Sequence, residues 1–148
     1  MIDLKQLLDE WKDDCKISEM HLDETSRQVP VLHSKYLDKL MNAKLILKKF
    51  EFEQKILLKQ KWLYYNGKMD QNEIEKLEWD PDPFDGLKVL KGEMEYYYDA
   101  DPEIQKSEEK IQYYKTVVDT LTEIIDNLKW RHQTISNIIR WKQFQSGN

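Results

Sequence analysis

The sequence predicts a mostly α-helical protein, in which long helices are joined by an irregular, acidic connector. Three observations support this fold class. Only four glycines and four prolines occur in 148 residues, which leaves long stretches uninterrupted. Charged residues make up 34% and apolar residues 40% of the chain, a balance typical of helix-rich proteins without a large core. Apolar residues also recur at helical spacing in three separate segments.

A short helix is predicted at the N-terminus. Its apolar face follows the spacing i, i+3, i+4, i+7 and consists of Leu4, Leu7, Leu8 and Trp11. The residues from Cys15 to Ser18 break the pattern. Because serine hydroxyls accept hydrogen bonds from the first backbone N–H groups of a helix, Ser18 is the expected N-cap of the next element.

A long second helix is predicted to end at about Tyr65. Pro30 lacks a backbone N–H group, so we expect a kink or a new helix start there. From Val31 onwards the helical pattern is continuous. Asn66-Gly67 is a suitable C-terminal stop, since glycine readily adopts the left-handed conformation that often ends helices.

The segment from 68 to 101 is predicted to be an irregular connector. Two prolines in the stretch 79–86 exclude a regular helix there. Leu87–Leu90 and Glu95–Tyr98 are candidate short strands, or a hairpin around Gly92, and the tyrosines 96–98 are more easily explained as core than as base-stacking residues. Asp101-Pro102 is then the expected N-cap and first residue of the last helix.

The last helix carries a heptad pattern over about four heptads. Its a and d positions are Ile111, Tyr114, Val118, Leu121, Ile125, Leu128, His132, Ile135 and Ile139. Val117, Ile124 and Ile138 widen this face at the g position, which Arg131 interrupts, and His132 is expected to be a polar core residue that sets the register. A wide a/d/g face favours contact with two neighbours. We therefore expect the helix to assemble with copies of itself into a ring or open helical barrel, although it could instead, or in addition, pack on the chain's own long helix.

The linear organisation suggests three regions: 1–67 as an N-terminal helical region that is the candidate for nucleic-acid binding, 68–101 as the acidic connector, and 102–148 as the oligomerisation helix. The net charge of the chain is -5, but its distribution is uneven. Residues 31–68 contain nine lysines and three acidic residues, whereas residues 69–109 contain four basic and fourteen acidic residues. Since phosphates respond to the local field, the basic stretch could bind DNA within an acidic chain.

The basic helix separates its lysines from its apolar residues. At 100° per residue, one face about 60° wide collects Lys44, Lys48, Lys55 and Lys59. Trp62 lies on the same side, with Phe52 near its edge. Lysines that follow phosphates and aromatic rings that stack on bases are the two requirements of sequence-tolerant single-strand binding. A solvated lysine face with no ligand is the alternative interpretation.

Other site chemistries find little support in the sequence. The aspartate-rich loop 80–86 lacks the ligand spacing of a calcium loop, because Phe84 occupies a ligand position and no Glu stands at position twelve. The three histidines and Cys15 have no metal-binding spacing. No glycine-rich phosphate loop and no catalytic grouping is visible. We therefore expect neither an enzyme nor a bound cofactor or metal.

The sequence also indicates an intracellular, reducing environment. A single cysteine cannot form an internal disulfide bond. No apolar run of 18 residues and no signal-peptide pattern is present, so we expect a cytoplasmic protein that does not insert into a membrane.

The stretch Leu58-Lys59-Gln60-Lys61-Trp62-Leu63-Tyr64-Tyr65-Asn66-Gly67 resembles the Leu-Lys-x-Lys/Arg-x-x-Tyr-Tyr-x-Gly motif of the UvsY recombination mediator family of T-even-type bacteriophages. Ser34-Lys35-Tyr36-Leu37 is similar to that family's entry into the long helix. An ungapped match towards the C-terminus comprises Gln112-Tyr113, Asp119, Asp126, Lys129, Arg131, Ile135, Ile138, Phe144 and Gly147. The resemblance covers most of the chain and is weakest across residues 68–100.

The resemblance implies a recombination mediator without catalytic activity, acting in the cytoplasm of the infected bacterial host in recombination, recombination-dependent replication and repair. The implied partners of this mediator are single-stranded DNA, the phage single-strand-binding protein and a RecA-like recombinase resembling UvsX. The resemblance also implies that six or seven chains assemble into a ring. The two basic motif residues implied in DNA binding are Lys59 and Lys61. Lysine replaces the arginine that the family often has at the second position. Lys61 projects towards the apolar side of a straight helix, but near the helix end its long side chain could still reach round to the DNA-binding side. Pro30 is a further departure from the family pattern, because the family's helix runs through this position.

A second function fits the composition and the heptads equally well. The chain could be a helical structural or assembly-chaperone protein that oligomerises through its last helix and binds no DNA. Salt dependence separates the two hypotheses, because phosphate contacts weaken steeply with salt whereas apolar helix association does not.

Overall fold

The computed structural model describes residues 1–147 and is built of helices and connecting turns, without strands in that range. The helices are α1 (Leu4–Asp14), α2 (Leu22–Tyr65), α3 (Gln71–Lys76), α4 (Met94–Asp99) and α5 (Pro102–Gln145), with a 3-10 helix at Lys91–Glu93 before α4. The predicted all-α fold class with two long helices is confirmed. The last residue of the predicted 102–148 region, Asn148, lies outside the described residues.

The chain forms two compact units, which cut across the three linear regions. Unit 1 comprises Met1–Ile46 together with the residues from Tyr114 onwards, and unit 2 comprises Leu47–Tyr113. Each long helix therefore contributes one part to each unit.

The core of unit 1 is formed by three helical segments. The buried side chains of α1 and α2 in this unit are Leu7, Tyr36, Leu40 and Ala43. Those of α5 are Tyr114, Val117, Leu121, Ile124, Ile125, Leu128 and Ile135. The ring of Trp11 meets Tyr36 edge-on at 5.5 Å, and the Tyr36 hydroxyl donates a 2.7 Å hydrogen bond to Asp14. Removing these apolar groups from water is the main force that holds the three segments together.

The heptad face of α5 is thus largely used inside one chain. Most of the residues predicted for oligomerisation are buried without any second copy: Ile111, Tyr114, Leu121, Ile125, Leu128 and Ile135. Val118 is partly buried, and only Ile139 is exposed, at 41%. The g-position residues Val117 and Ile124 are buried as well, so the wide face fits the alternative in which α5 packs on the chain's own helices. Whether the chain also forms a ring stays a prediction.

The polar core residue of α5 is Arg131, not His132. The expectation for His132 was wrong, since its side chain is exposed. Arg131 is buried, and its guanidinium donates hydrogen bonds to the backbone oxygens of Asp14 (3.0 Å) and Lys16 (2.9 Å). The first carbonyl belongs to the last residue of α1 and the second lies two residues beyond it, where a helix leaves its last acceptors unpaired. Arg131 therefore satisfies the polar end of α1 within an apolar core.

Several local predictions are settled by the backbone. The break after Asp14 is confirmed, but Ser18 does not cap α2; its carbonyl accepts from His21 N–H in a turn before the helix begins at Leu22. Pro30 lies inside α2, so no new helix starts there. At the other end of α2, Gly67 has φ +67° and Lys68 N–H bonds to Leu63 O at 2.8 Å, which confirms the predicted stop as a Schellman motif.

The connector contains helical turns where strands were predicted. Leu87–Leu90 is irregular, and Glu95–Tyr98 lies within α4. Tyr97 and Tyr98 are half-buried, with ring centroids 6.4 and 5.3 Å from that of Tyr65, whereas Tyr96 is exposed. Packing of these rings on one side of a short helix overrides the strand preference of a tyrosine run.

The predicted start of α5 is confirmed. The Asp101 carboxylate accepts from the backbone N–H groups of Glu103 (2.9 Å) and Ile104 (3.1 Å), and Pro102 is the first helical residue. Asp101 is therefore a well-formed N-cap, and its position is important for the site described next.

Candidate nucleic-acid interface

One exposed face of α2 within unit 2 combines lysines and aromatic rings. We call it the lysine–aromatic face; its members are Lys48, Phe52, Lys55, Lys59 and Trp62. They follow one another at intervals of four, three, four and three residues, so they lie within about 80° of arc on one side of the helix. At 1.5 Å per residue the face extends over about 21 Å.

The first half of the face is organised around Phe52, whose side chain is 53% exposed. The ammonium groups of Lys48 and Lys55 lie 5.2 and 5.6 Å from its ring centroid. Lys48 also approaches Glu51 at 3.6 Å, but this pair is exposed and contributes little. Both lysines can therefore turn towards a phosphate while the ring stays accessible to a base.

The second half is organised around Trp62, which is 46% exposed. Lys68 places its ammonium 4.6 Å from a Trp62 ring centroid, a cation–π contact that the Schellman turn at Gly67 makes possible. Lys68 was not among the predicted site residues. The stop signal at Asn66-Gly67 could have indicated it, because a chain that reverses after this turn brings its next side chain back beside the last helical turn.

Lys59 lies between these two aromatic groups. Its side chain is exposed, and within residues 1–147 it takes part in no ion pair or ring contact. Lys44, the remaining predicted lysine, is also exposed, but it belongs to unit 1.

Lys61 differs from the other predicted DNA-binding residues, because its side chain is buried. It is only 4% exposed, and its ammonium lies 2.9 Å from the Asp101 carboxylate and 3.4 Å from that of Glu103. It also lies 3.8 Å from a ring centroid of Trp79. At 100° per residue, Lys61 points about 140° away from the centre of the lysine–aromatic face and about 100° from its nearest member, Trp62. The structure therefore does not present Lys61 to a phosphate.

A network of polar and aromatic groups surrounds Lys61. The Tyr65 hydroxyl donates to Asp101 (2.6 Å), and the Trp79 indole N–H donates to Glu103 (2.5 Å). Burial alone would raise the pKa of Asp101, but the hydrogen bonds from Tyr65 and Lys61 outweigh it and hold this pKa below its ordinary value. Burial and the bond to Asp101 also raise the pKa of Tyr65 above its usual range. Asp101 is thus a buried carboxylate with a full set of donors.

Further contacts hold the opposite side of α2 against the start of α5 in unit 2. Gln54 donates a 2.6 Å hydrogen bond to Glu108, and the Lys110 ammonium lies 5.6 Å from the ring centroid of Phe50. Together with the pairs of Lys61, these contacts fix which side of α2 is covered. The lysine–aromatic face is exposed because it lies on the other side.

The described residues offer few alternatives for chemistry. No cluster of three or more His, Cys, Asp or Glu side chains in residues 1–147 is arranged to hold a metal ion. No helix in this range is both long and apolar enough to cross a membrane. Among the described residues, exposed lysines and exposed rings come together on the surface of α2, and such a helix surface binds extended ligands rather than enclosing small ones.

Comparison with known proteins identifies the family. Residues 10–148 match the model of the UvsY family, which is described as "Recombination, repair and ssDNA binding protein UvsY". The chain belongs to the UvsY family. The resemblance of the motif at residues 58–67 is thereby confirmed at the level of almost the whole chain.

Individual relatives agree with this assignment. The recombination protein uvsY of Enterobacteria phage T4 is 27% identical over 144 residues, a match that covers 97% of this chain and 98% of the relative. Two crystal structures of the bacteriophage T4 recombination mediator protein UvsY have TM-scores of 0.83 and 0.80. Their identities are 26% and 25%, and they cover 99% and 97% of this chain and 99% of each of those chains. The UvsY chain described here thus belongs to a recombination, repair and single-stranded-DNA-binding family and has its fold.

Proposed function

We propose that this UvsY protein binds single-stranded DNA along the lysine–aromatic face and acts as a recombination mediator. The observation that supports the DNA site is the exposure of three lysines and two aromatic rings on one side of α2, with Lys68 against the terminal ring. Lysine is a compact point charge that follows phosphates without selecting bases, and every base can stack on a ring. Binding would therefore be sequence-tolerant.

A single face gives a weak site, because it carries few phosphate contacts. Linked copies of a weak site bind more tightly, since the first contact raises the effective concentration for the next. We propose that the chain forms a homo-oligomer of six or seven copies for this reason. As the heptad residues are mostly buried within one chain, the exposed apolar residues of α5 are the better candidates for contact between copies: Trp130, Ile139, Trp141 and Phe144.

The mediator role follows from differential affinity. An oligomer that wraps or bends the strand into a form that the single-strand-binding protein holds poorly, and a RecA-like recombinase holds well, shifts the population towards the recombinase filament. No covalent chemistry is required, so we propose that the protein is not an enzyme. It would act on DNA in the cytoplasm of the infected bacterial host.

The experiment that tests the DNA site is fluorescence anisotropy of a labelled oligothymidylate at several salt concentrations. Lys55→Met/Lys59→Met should weaken binding and lower the slope of log affinity against log salt by about 0.7 for each lysine. The matched control is Lys88→Met/Lys91→Met, two exposed lysines of the acidic connector, which should leave the slope unchanged.

Two results would contradict the proposal. An equal loss of DNA affinity in both double variants would mean that the net charge of the protein, and not the lysine–aromatic face, determines binding. An oligomer that binds no single strand at low salt would instead support a structural protein. If the strand binds as expected, the mediator role is tested by adding the protein to DNA coated with single-strand-binding protein and measuring whether recombinase filaments form faster.

A further inference from the structure

We infer that Lys61 serves the DNA interface as a positioning residue and makes no phosphate contact, an inference that rests on the function proposed above. Lys61 and Lys59 are the two lysines of one short stretch, Lys59-Gln60-Lys61, yet the structure gives them opposite environments. Lys59 is exposed on the lysine–aromatic face, whereas the side chain of Lys61 is almost fully buried in an ion pair.

The charge of Lys61 is already neutralised inside the protein. Its partner Asp101 has a side chain only 2% exposed, and Glu103 provides a second carboxylate. Turning Lys61 outwards would leave the Asp101 carboxylate buried without its cation, which costs far more than one exposed ion pair with a phosphate gains. A lysine paired in this way neutralises no phosphate, so it displaces none of the cations condensed on the DNA. It therefore cannot contribute to the salt-dependent part of binding.

Lys61 can instead hold the end of α2 in place against the start of α5. Asp101 caps α5 through the backbone N–H groups of Glu103 and Ile104, so the ion pair links the last turns of α2 to the start of α5. Trp79 adds a second link, because its ring lies against the Lys61 ammonium while its indole N–H donates to Glu103. With this side of α2 fixed, Lys59 and Trp62 remain on the exposed side.

Lysine footprinting of the wild-type protein tests this inference directly. The protein is treated briefly with an amine-acetylating reagent, with and without oligothymidylate, and the modified lysines are quantified by mass spectrometry. We expect Lys59 to react in the unbound protein and to be protected by DNA. Lys61 should react poorly in both states, at a rate below those of Lys59, Lys88 and Lys91.

Each outcome is informative. Reaction of Lys61 in the unbound protein followed by protection on DNA would overturn the inference, since it would show an accessible lysine that contacts the strand. Reaction of Lys61 in both states would overturn it as well, because the ion pair would not hold the side chain. If no lysine is protected although DNA binds, the proposed interface fails, while poor reaction of Lys61 would still show that the ion pair forms.

A set of variants separates position from contact. Lys61→Met removes the charge at similar volume, and Lys61→Met/Asp101→Asn removes both charges while keeping the oxygen that caps α5. The Asn amide NH2 group then faces the Tyr65 hydroxyl, which can accept a hydrogen bond from it. We expect Lys61→Met to lower the melting temperature by on the order of 10 °C and to weaken DNA binding with an unchanged salt slope. Lys59→Met should instead lower the slope by about 0.7 and leave the melting temperature unchanged.

Rescue completes the test. Asp101→Asn should restore much of the DNA affinity lost by Lys61→Met, because no buried charge is then left unpaired. A second double variant, Lys61→Met/Asp99→Asn, removes a negative charge at an exposed residue instead, so that any general gain from the lost charge is measured and subtracted. Two results together would show that Lys61 contacts phosphate: the salt slope falls in Lys61→Met as much as in Lys59→Met, and Asp101→Asn does not restore the DNA affinity. If Lys61→Met does not fold, the double variant Lys61→Met/Asp101→Asn and the lysine footprint still show whether Lys61 contacts the DNA.

Discussion

The Tyr65 hydroxyl donates a 2.6 Å hydrogen bond to the carboxylate of Asp101, 36 residues further along the chain. This bond joins the last residue of α2 to the N-cap of α5 at the place where the Lys61 ion pair also forms. The ring of Tyr65 meets Tyr98 edge-on at 5.3 Å, so the same residue also holds α4. Tyr65 therefore links three elements of unit 2.

Removing this hydroxyl should destabilise the protein without changing its charge. Tyr65→Phe keeps the ring contacts but takes a donor away from a buried carboxylate, and we expect a loss of about 1.5 to 3 kcal/mol in the free energy of unfolding. Urea denaturation followed by circular dichroism measures it. The control is Tyr96→Phe, at an exposed tyrosine of α4, which should change stability by less than about 0.5 kcal/mol. Equal effects of the two changes would contradict the role of the bond.

The stability of the protein should fall in acid. The pKa values of Asp14 and Asp101 are both lowered in the folded state: burial opposes this, but hydrogen bonds from Lys35 and Tyr36 to Asp14, and from Tyr65 and Lys61 to Asp101, outweigh it. A carboxylate with a depressed folded pKa stabilises the protein above its unfolded pKa of about 4 and loses that contribution as the pH falls through the folded value.

Urea denaturation between pH 7 and pH 2 tests this expectation. The free energy of unfolding should fall progressively below about pH 4. Asp101→Asn should lower it at neutral pH and make the acid decline shallower. Asp9→Asn, at an exposed residue that pairs with the exposed Lys12, is the matched control and should keep the wild-type profile. A decline of the same steepness in Asp101→Asn would mean that other groups cause the acid sensitivity.

The Schellman motif at the end of α2 should depend on glycine. Gly67 has φ +67°, so Gly67→Ala forces an L-residue into the left-handed region and should cost about 1 kcal/mol. Gly92→Ala is the matched control, because Gly92 has no positive φ and nothing lies within 4 Å of an added Cβ. It should be neutral or slightly stabilising. Thermal melts measure both, and a Gly92→Ala variant that is as unstable as Gly67→Ala would contradict the account.

Fold and assembly should respond to different residues of α5. Leu121 is fully buried in unit 1, so Leu121→Ala should lower the free energy of unfolding by about 2 to 5 kcal/mol. Ile139 is exposed, so Ile139→Asp should leave the helix content unchanged while it lowers the fraction of the protein that is oligomeric. Light scattering coupled to size-exclusion chromatography measures the second effect. An unchanged oligomer in Ile139→Asp would show that this end of α5 makes no contact between copies.

Local signals in the sequence predicted the helices well. The apolar spacing from Leu4 to Trp11, the stop at Asn66-Gly67 and the Asp101-Pro102 start all depend on interactions within one or two turns, so they can be recognised without a tertiary structure. No new helix starts at Pro30, because a missing donor is only a local cost, which packing elsewhere along a 44-residue helix can offset.

The site was harder to predict because tertiary contacts determine its details. Helical geometry placed Lys55, Lys59 and Trp62 on one face, and that arrangement is present. Periodicity alone could not show that Lys61 has Asp101 as a partner 40 residues away, nor that the heptad face of α5 is buried within one chain. Likewise, Arg131 interrupts an apolar stripe, but only the position of the end of α1 shows which carbonyls its buried guanidinium bonds to.

The central claim, that the lysine–aromatic face contacts single-stranded DNA, is tested most directly by photocrosslinking the wild-type protein to an oligonucleotide containing 5-iodouracil. The chain exposes aromatic rings in both units, which makes the positions of the crosslinks decisive. We predict crosslinks at Phe52 and Trp62. Crosslinks at Trp130, Trp141 or Phe144 instead would place the strand on α5 of unit 1 and contradict the claim.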